Sequence, residues 1–221
     1  MITDFQCNTV YFSALLQELA PVTYADVISA LDKHGVEHRL IPNTNDVWCR
    51  DYMPIQVAEG DFRGFTYDPD YLHETEEYLA SRTDGSEVCR DMGFEVKMPF
   101  GHADGLVRYA GDGRVLLTNY DRFNKGFTRK VIQILQEHFT DVYKLEYDVP
   151  KQHKHNWAYI NWLQTDKVLL IPSFGCPEDE LAVEQITSYM PMYKDRVEMV
   201  PANDLIIHLG CLNCASWTVK L

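Results

Sequence analysis

The sequence predicts an α/β fold built as a ring of repeated ββαβ units, and three observations predict it. Two consecutive segments share one plan, a hairpin followed by an amphipathic helix and a strand. Closing strands end in prolines at a fixed interval, Pro99, Pro150 and Pro201, 51 residues apart, with a further one at Pro42. The N-terminal unit lacks a hairpin partner, while the tail after Pro201 offers strands and no helix. Pairing those two ends closes the ring and removes exposed sheet edges. This gives one domain over 1–221 with four units, at about 43–99, 100–150, 151–201, and 202–221 joined to 1–42.

Taken in order, "NTVYFS" has the β-branched and aromatic content of a strand. A helix is predicted over 23–34, with Thr23 and Asp26 as a capping box and Gly35 as its C-cap, before the strand "VEHRLIP". The strand "GFEVKMP" closes the next unit. In the third, "LVRYAGDGRVLLTNY" turns at Gly111-Asp112-Gly113. The helix after it places Phe127, Val131, Leu135 and Phe139 on one face, and "VYKLEYDVP" closes the unit. In the fourth, "NWAYINWLQTDKVLLIPSF" turns at Thr165-Asp166. Its helix carries Ala182, Ile186 and Met190 on one face. Pro177 suits its first turn, and Glu178, Asp179 and Glu180 complement its N-terminal dipole. "DRVEMVP" closes it, and "DLIIHLG" and "ASWTVKL" read as strands.

The 221 residues, 46% hydrophobic, suffice for one well-buried domain. The net charge of −13 argues against a nucleic-acid partner, which needs a basic footprint, and mildly favours a cationic small molecule. No apolar run reaches the roughly 20 residues that span a bilayer, and no secretory signal is legible, so a cytoplasmic protein without a membrane partner is expected. Six scattered cysteines suit reduced thiols.

In such a ring the segments after each closing strand converge. After Pro42 comes "NTNDVWCRDYMP", after Pro99 "FGHADGLVRY", after Pro150 "KQHKHNWAYINW", after Pro201 "ANDLIIHLGCLNC". Asp46, Asp51, His102, Asp104 and Cys214 are thereby brought towards one centre, as a nucleophile, a base and carboxylates drawn from separate elements require. Cys211 and Cys214 form a C-x-x-C pair with three readings. A redox pair normally opens a helix after a strand, which strand-like flanks do not favour. A zinc site needs two more ligands, with His153 and His155 the obvious half, but the full ligand spacing is absent. In the third reading Cys214 is a nucleophile and Cys211 a buried small hydrophobe.

These segments resemble a known family. "NDVWCRDYMP" resembles the N-D-x-W-x-R-D-x-x-P signature of agmatine deiminases and Porphyromonas-type peptidyl-arginine deiminases. "GHADGLVRY" is similar to their G-H-x-D-x-x-x-R-F segment at His102, Asp104 and Arg108. "YINW…LLIPSFGCPEDE" resembles Y-x-N-F…P-x-F-G-x-x-x-D, and "GCLNCASW" the closing segment that carries the nucleophile. The matches come in family order over 45–217. The resemblance implies the pentein-type α/β propeller of the guanidino-group modifying superfamily. It implies Cys214 as nucleophile, His102 as general acid/base, and Asp51 and Asp104 as guanidinium-binding carboxylates. Asp46, Trp48 and Arg50 are expected on the substrate-binding side, Trp48 as a wall and Arg50 as a loop anchor paired with a carboxylate. Tyr159 and Asn161 receive no role. The chain departs from the family in having no E-G-G-N or D-G-G-N tetrapeptide, whose acid partners the histidine; the interval from Asp51 to Gly101 leaves room for one unit.

The implied activity is deimination of a small guanidine such as agmatine through a covalent thiouronium, with no metal or organic cofactor. Two alternatives stand beside it: a guanidino-ligand-binding relative impaired by the missing acid, and an amidinotransferase, which shares the covalent step but passes the amidino group to an amine instead of water. A homo-oligomer in which a second copy supplements the ring is also open.

Overall fold

The computed structural model describes residues 1–64, 75, 76, 92, 106–122 and 124–221. Along the chain, β1 (Thr9–Ser13) leads through a short helix α1 (Leu16–Leu19) and α2 (Pro21–Lys33) to β2 (Glu37–Ile41). A single helical turn α3 (Cys49–Tyr52) precedes the hairpin β3 (Ile55–Ala58) and β4 (Asp61–Arg63). Then come β5 (Val107–Gly111), β6 (Arg114–Leu117), α4 (Lys125–His138) and β7 (Asp141–Lys144). The last stretch holds β8 (Leu163–Gln164), β9 (Leu169–Ser173), α5 (Glu178–Tyr189), β10 (Val197–Pro201), α6 (Asn203–Ile206) and β11 (Trp217–Val219).

Three sheets repeat one topology. An antiparallel pair, β5–β6 or β8–β9, feeds a helix that returns the chain to a parallel third strand, β7 or β10. The first sheet draws on both ends of the chain: β1 pairs in parallel with β2 and antiparallel with β11, Tyr11 facing Trp217. The expected pairing of N- and C-terminal segments is thus present. The fourth sheet is the β3–β4 hairpin among the described residues, so the sheets do not confirm the count of four units. The strand expected at "GFEVKMP" lies outside the described residues.

Local chemistry explains most boundaries. Gly35 sits at φ 60°, the left-handed position that ends α2, and the Val36 amide donates back to the Leu31 carbonyl at 2.9 Å. Between β5 and β6, Gly111, Asp112 and Gly113 all take positive φ. Asn124 caps α4, its side chain accepting the Phe127 amide at 3.0 Å. In α5 the predicted face is fully buried, with Ala182, Ile186 and Met190 against the core.

Four expectations are corrected. First, α2 starts at Pro21, and Thr23 makes no local capping box. Its hydroxyl donates to the Pro201 carbonyl at 2.8 Å and to the Asp204 carboxylate, which in turn accepts the Val22 and Thr23 amides at 3.0 and 3.3 Å. The cap comes from α6, far away in sequence. Second, the face of α4 is only half-buried: Phe127 is 43% exposed, and Thr128 is the one buried residue of the helix. Phe127 lies edge-on to Tyr120 instead, in the 3-10 turn before the helix. Third, the strand expected at "NWAYI" is a 3-10 turn over Asn156–Ile160. The Asn156 side chain accepts from Asn119 at 3.1 Å and Arg122 at 2.8 Å, which holds it out of a strand. Fourth, "DLIIHLG" forms α6 and a turn rather than a strand.

No helix among the described residues is long and apolar enough to cross a membrane.

Candidate functional site

The turn bearing Cys214 is shaped from both sides. After α6, Leu209 takes φ 69°, a left-handed conformation that is strained for a leucine, with its side chain 84% exposed. Gly210 follows with the Trp48 ring directly against its Cα, in the space where a Cβ would stand. Cys211 and Leu212 then enter the core, and the Ala215 and Ser216 amides close tight turns onto the Cys211 and Asn213 carbonyls. Cys214 itself is left partly exposed at the apex.

Asn161 holds that apex from the end of the 3-10 turn. Its Oδ1 accepts the amides of Asn213 at 3.0 Å and Cys214 at 3.2 Å, and its Nδ2 donates to Cys214 Sγ at 3.1 Å. The amide orientation follows from the network: an oxygen taken by two backbone N–H groups leaves the NH₂ facing sulfur. The Asn213 amide also donates to the Asn161 carbonyl at 3.1 Å. Sequence reasoning gave Asn161 no role. The available signal was its place in the Y-x-N segment; the contact itself joins residues 53 apart.

Asn161 is itself set by a buried turn. The Tyr159 hydroxyl donates to Asp179 at 2.6 Å, and the Asp179 carboxylate accepts the Phe174, Gly175 and Cys176 amides between 2.8 and 3.2 Å. Asp179 therefore ties the entrance of α5 to the segment carrying Asn161.

On the other side stands the α3 loop. Asp46 Oδ1 accepts the Trp48 amide at 3.3 Å, and the Tyr52 hydroxyl donates to the Asp46 carbonyl at 3.0 Å. Burial raises the Asp46 pKa, and the Trp48 and Val47 amides offset only part of that. The Arg50 amide donates to the Cys214 carbonyl at 3.1 Å, so the W-x-R-D segment and the cysteine turn are in direct contact. The Arg50 guanidinium reaches the Asn213 carbonyl at 3.4 Å and lies 3.6 Å from Asp4. Asp51 is in the same helical turn, partly buried, its amide donating to the Trp48 carbonyl at 2.9 Å. Asp46, Trp48, Arg50, Asp51 and Cys214 thus belong to two abutting loops. His102 and Asp104 lie outside the described residues.

The remaining thiols differ from Cys214 in setting. Cys211 is fully buried and burial pushes its pKa up; Cys49 is likewise buried and pushed up to about 12. The His153 and His155 rings flank Phe174, at 5.4 and 6.4 Å between centroids. Among the described residues no group of three or more His, Cys, Asp or Glu is arranged to hold a metal ion.

Three repeated sheets and a cysteine turn braced by two loops define a mixed α/β protein of the pentein fold, and solved structures agree. The agmatine deiminase of C. jejuni superposes with a TM-score of 0.64 at 14% identity, over 100% of this chain and 95% of that one. A provisional arginine deiminase of Porphyromonas gingivalis gives 0.67 at 12%, over 99% and 97%. A dimethylarginine dimethylaminohydrolase gives 0.54 at 14%, over 96% and 100%. No curated protein matches by sequence. The chain belongs to the Porphyromonas-type peptidyl-arginine deiminase family, whose sequence profile matches residues 73–219.

Proposed function

We propose that this protein is a cysteine-dependent deiminase acting on a small guanidino compound such as agmatine. The observation that carries this reading is the bracket on Cys214: a partly exposed thiol whose two neighbouring amides and sulfur are all engaged by one asparagine side chain. A buried structural cysteine needs no such orientation, whereas a nucleophile does. A donor aimed at sulfur also stabilises the negative charge a thiolate carries.

A guanidinium is planar, cationic and resonance-stabilised, so its central carbon is a poor electrophile. In the proposed mechanism Asp51 and Asp104 hold it through paired, charge-assisted hydrogen bonds and concentrate positive charge on that carbon. Asp46 and Trp48 contribute to the substrate pocket, and Arg50 anchors the loop. The Cys214 thiolate attacks, forming a C–S bond, and His102 protonates the departing nitrogen, which leaves as ammonia. His102 then takes a proton from water, the hydroxide adds to the thiouronium carbon, and the C–S bond breaks. The products are ammonia, a ureido compound and the regenerated thiolate.

Ammonia release from agmatine, arginine and a short arginyl peptide tests this, using the wild type with Cys214→Ala and Cys211→Ala. Turnover is expected in the wild type and in Cys211→Ala and absent from Cys214→Ala. Silence from the wild type on all three substrates, with ligand-dependent thermal stabilisation, would replace the enzyme by a binding protein.

A further inference from the structure

Asp4 lies in the N-terminal 3-10 turn Asp4–Gln6, outside every motif the sequence singles out. Its carboxylate nevertheless meets the arginines of two of them. Asp4 Oδ2 accepts from Arg108 Nη2 at 2.8 Å, and Asp4 Oδ1 lies 3.6 Å from Arg50 Nη1. The Thr218 hydroxyl, on β11, donates to Asp4 Oδ1 at 2.7 Å and accepts from Arg50 Nη2 at 3.3 Å. From there Arg50 continues to the cysteine turn, through its Nε to the Asn213 carbonyl and its backbone amide to the Cys214 carbonyl. Arg108 is 8% exposed and packs over the Trp162 ring, on the strand that begins three residues after Asp104 in sequence.

We propose that Asp4 is a positioning residue for the Cys214 site, one carboxylate that fixes the α3 loop and the start of β5 against each other by holding Arg50 and Arg108 together. The proposal rests on the reading of Cys214 as nucleophile. Two guanidinium groups drawn to one carboxylate repel each other, and the carboxylate between them offsets that repulsion. Burial alone would raise the Asp4 pKa. The two arginines and the Thr218 hydroxyl outweigh it, and the carboxyl titrates below its usual range. Asp4 lines a cleft with Ile2, Cys7, Arg50, Gln56 and Thr218, and its side chain is 24% exposed, which gives a small carboxylate access to its place.

The test uses Asp4→Asn, which keeps the shape and removes the charge, and Asp4→Ala, which leaves room for acetate or formate. Thermal melts first establish a temperature at which both variants are folded, and all rates are read there. For Asp4→Asn the expectation is a kcat lowered by about 10–100-fold with KM little changed, because a misplaced nucleophile costs rate rather than ground-state binding. Added acetate or formate is expected to restore part of the kcat of Asp4→Ala and none of that of a Cys214→Ala control. A readout independent of turnover is the rate of Cys214 alkylation by iodoacetamide, followed by mass spectrometry. It is expected to rise in Asp4→Asn relative to the wild type while that of Cys176 stays unchanged. Unchanged Cys214 alkylation, or a loss of activity that follows only the unfolded fraction and ignores added carboxylate, would overturn the proposal. A wild type inactive on every guanidine would remove the deiminase reading alone, and the alkylation rates would still decide the role of Asp4.

Discussion

Individual side chains show how differently the described cysteines of one chain are treated. Of the five described, Cys7, Cys49 and Cys211 are buried, and only Cys176 and Cys214 are partly exposed. Burial pushes both Cys7 and Cys49 up to about 12. An unfolded thiol ionises near its ordinary value of about 8.5, while these remain protonated in the fold. The unfolded state therefore binds fewer protons as pH rises, and the stability these groups contribute is present below about pH 8.5 and lost towards 12. Urea midpoints are expected to fall steadily from pH 8 to pH 10.5. Replacing Cys49 by alanine should flatten that slope, at a cost at pH 7 of about 1 kcal/mol for the small cavity. An unchanged slope in Cys49→Ala would show that its thiol does not hold its proton.

The elements make a second kind of point, that caps and turns here are completed from a distance. Helix α2 is legible from its glycine stop, yet its first turn is capped by Asp204, 182 residues from Val22, and not by the local box of Thr23 and Asp26. Asp204→Ala is expected to cost about 1–2 kcal/mol, as for loss of an N-cap, read as a lower urea midpoint with an unchanged m-value. A loss confined to a few tenths would mean that water caps the helix equally well. The α5 entrance follows the same logic through Asp179. It stands in the first turn as the dipole argument expects, and its carboxylate also gathers three amides and a tyrosine hydroxyl. A residue of the Y-x-N…F-G-x-x-x-D resemblance thus has a plain structural use: it places the turn that ends in Asn161.

Across the whole molecule, the junction of first and last strands bears most directly on the site. Trp217 on β11 lies 5.1 Å from Tyr11 and 5.8 Å from Phe62 between ring centroids, and its indole N–H donates to the Pro54 carbonyl at 2.8 Å. It belongs to a second apolar cluster with Tyr11, Ile41, Cys49, Tyr52, Met53, Phe62 and Val219, under the α3 loop. Trp217→Ala should cost about 3–5 kcal/mol, and ammonia release should fall before global unfolding as α3 loosens. Loss of stability with activity kept in proportion to the folded fraction would show that the cluster supports the fold without guiding the loop.

The sequence by itself determined the unit plan, because hydrophobic period and turn residues are local properties: the β5–β6 hairpin, α4, α5, β9 and β10 stand where pattern placed them. The pairing of the ends followed too, since a lone N-terminal strand and the C-terminal strand "ASWTVKL" leave edges that must be paired. The motif order singled out Cys214, Asp51 and their neighbours. Tertiary structure decided what no window of residues contains. It made "NWAYI" a 3-10 turn, because Asn119 and Arg122 arrive from the segment after β6 to hold Asn156. It left α4 half-exposed, since amphipathicity states which face is apolar and not how deeply a neighbour covers it. It also brought Asn161 to Cys214 and Asp4 to Arg50 and Arg108, contacts whose energy depends on distance through space between residues that are remote along the chain.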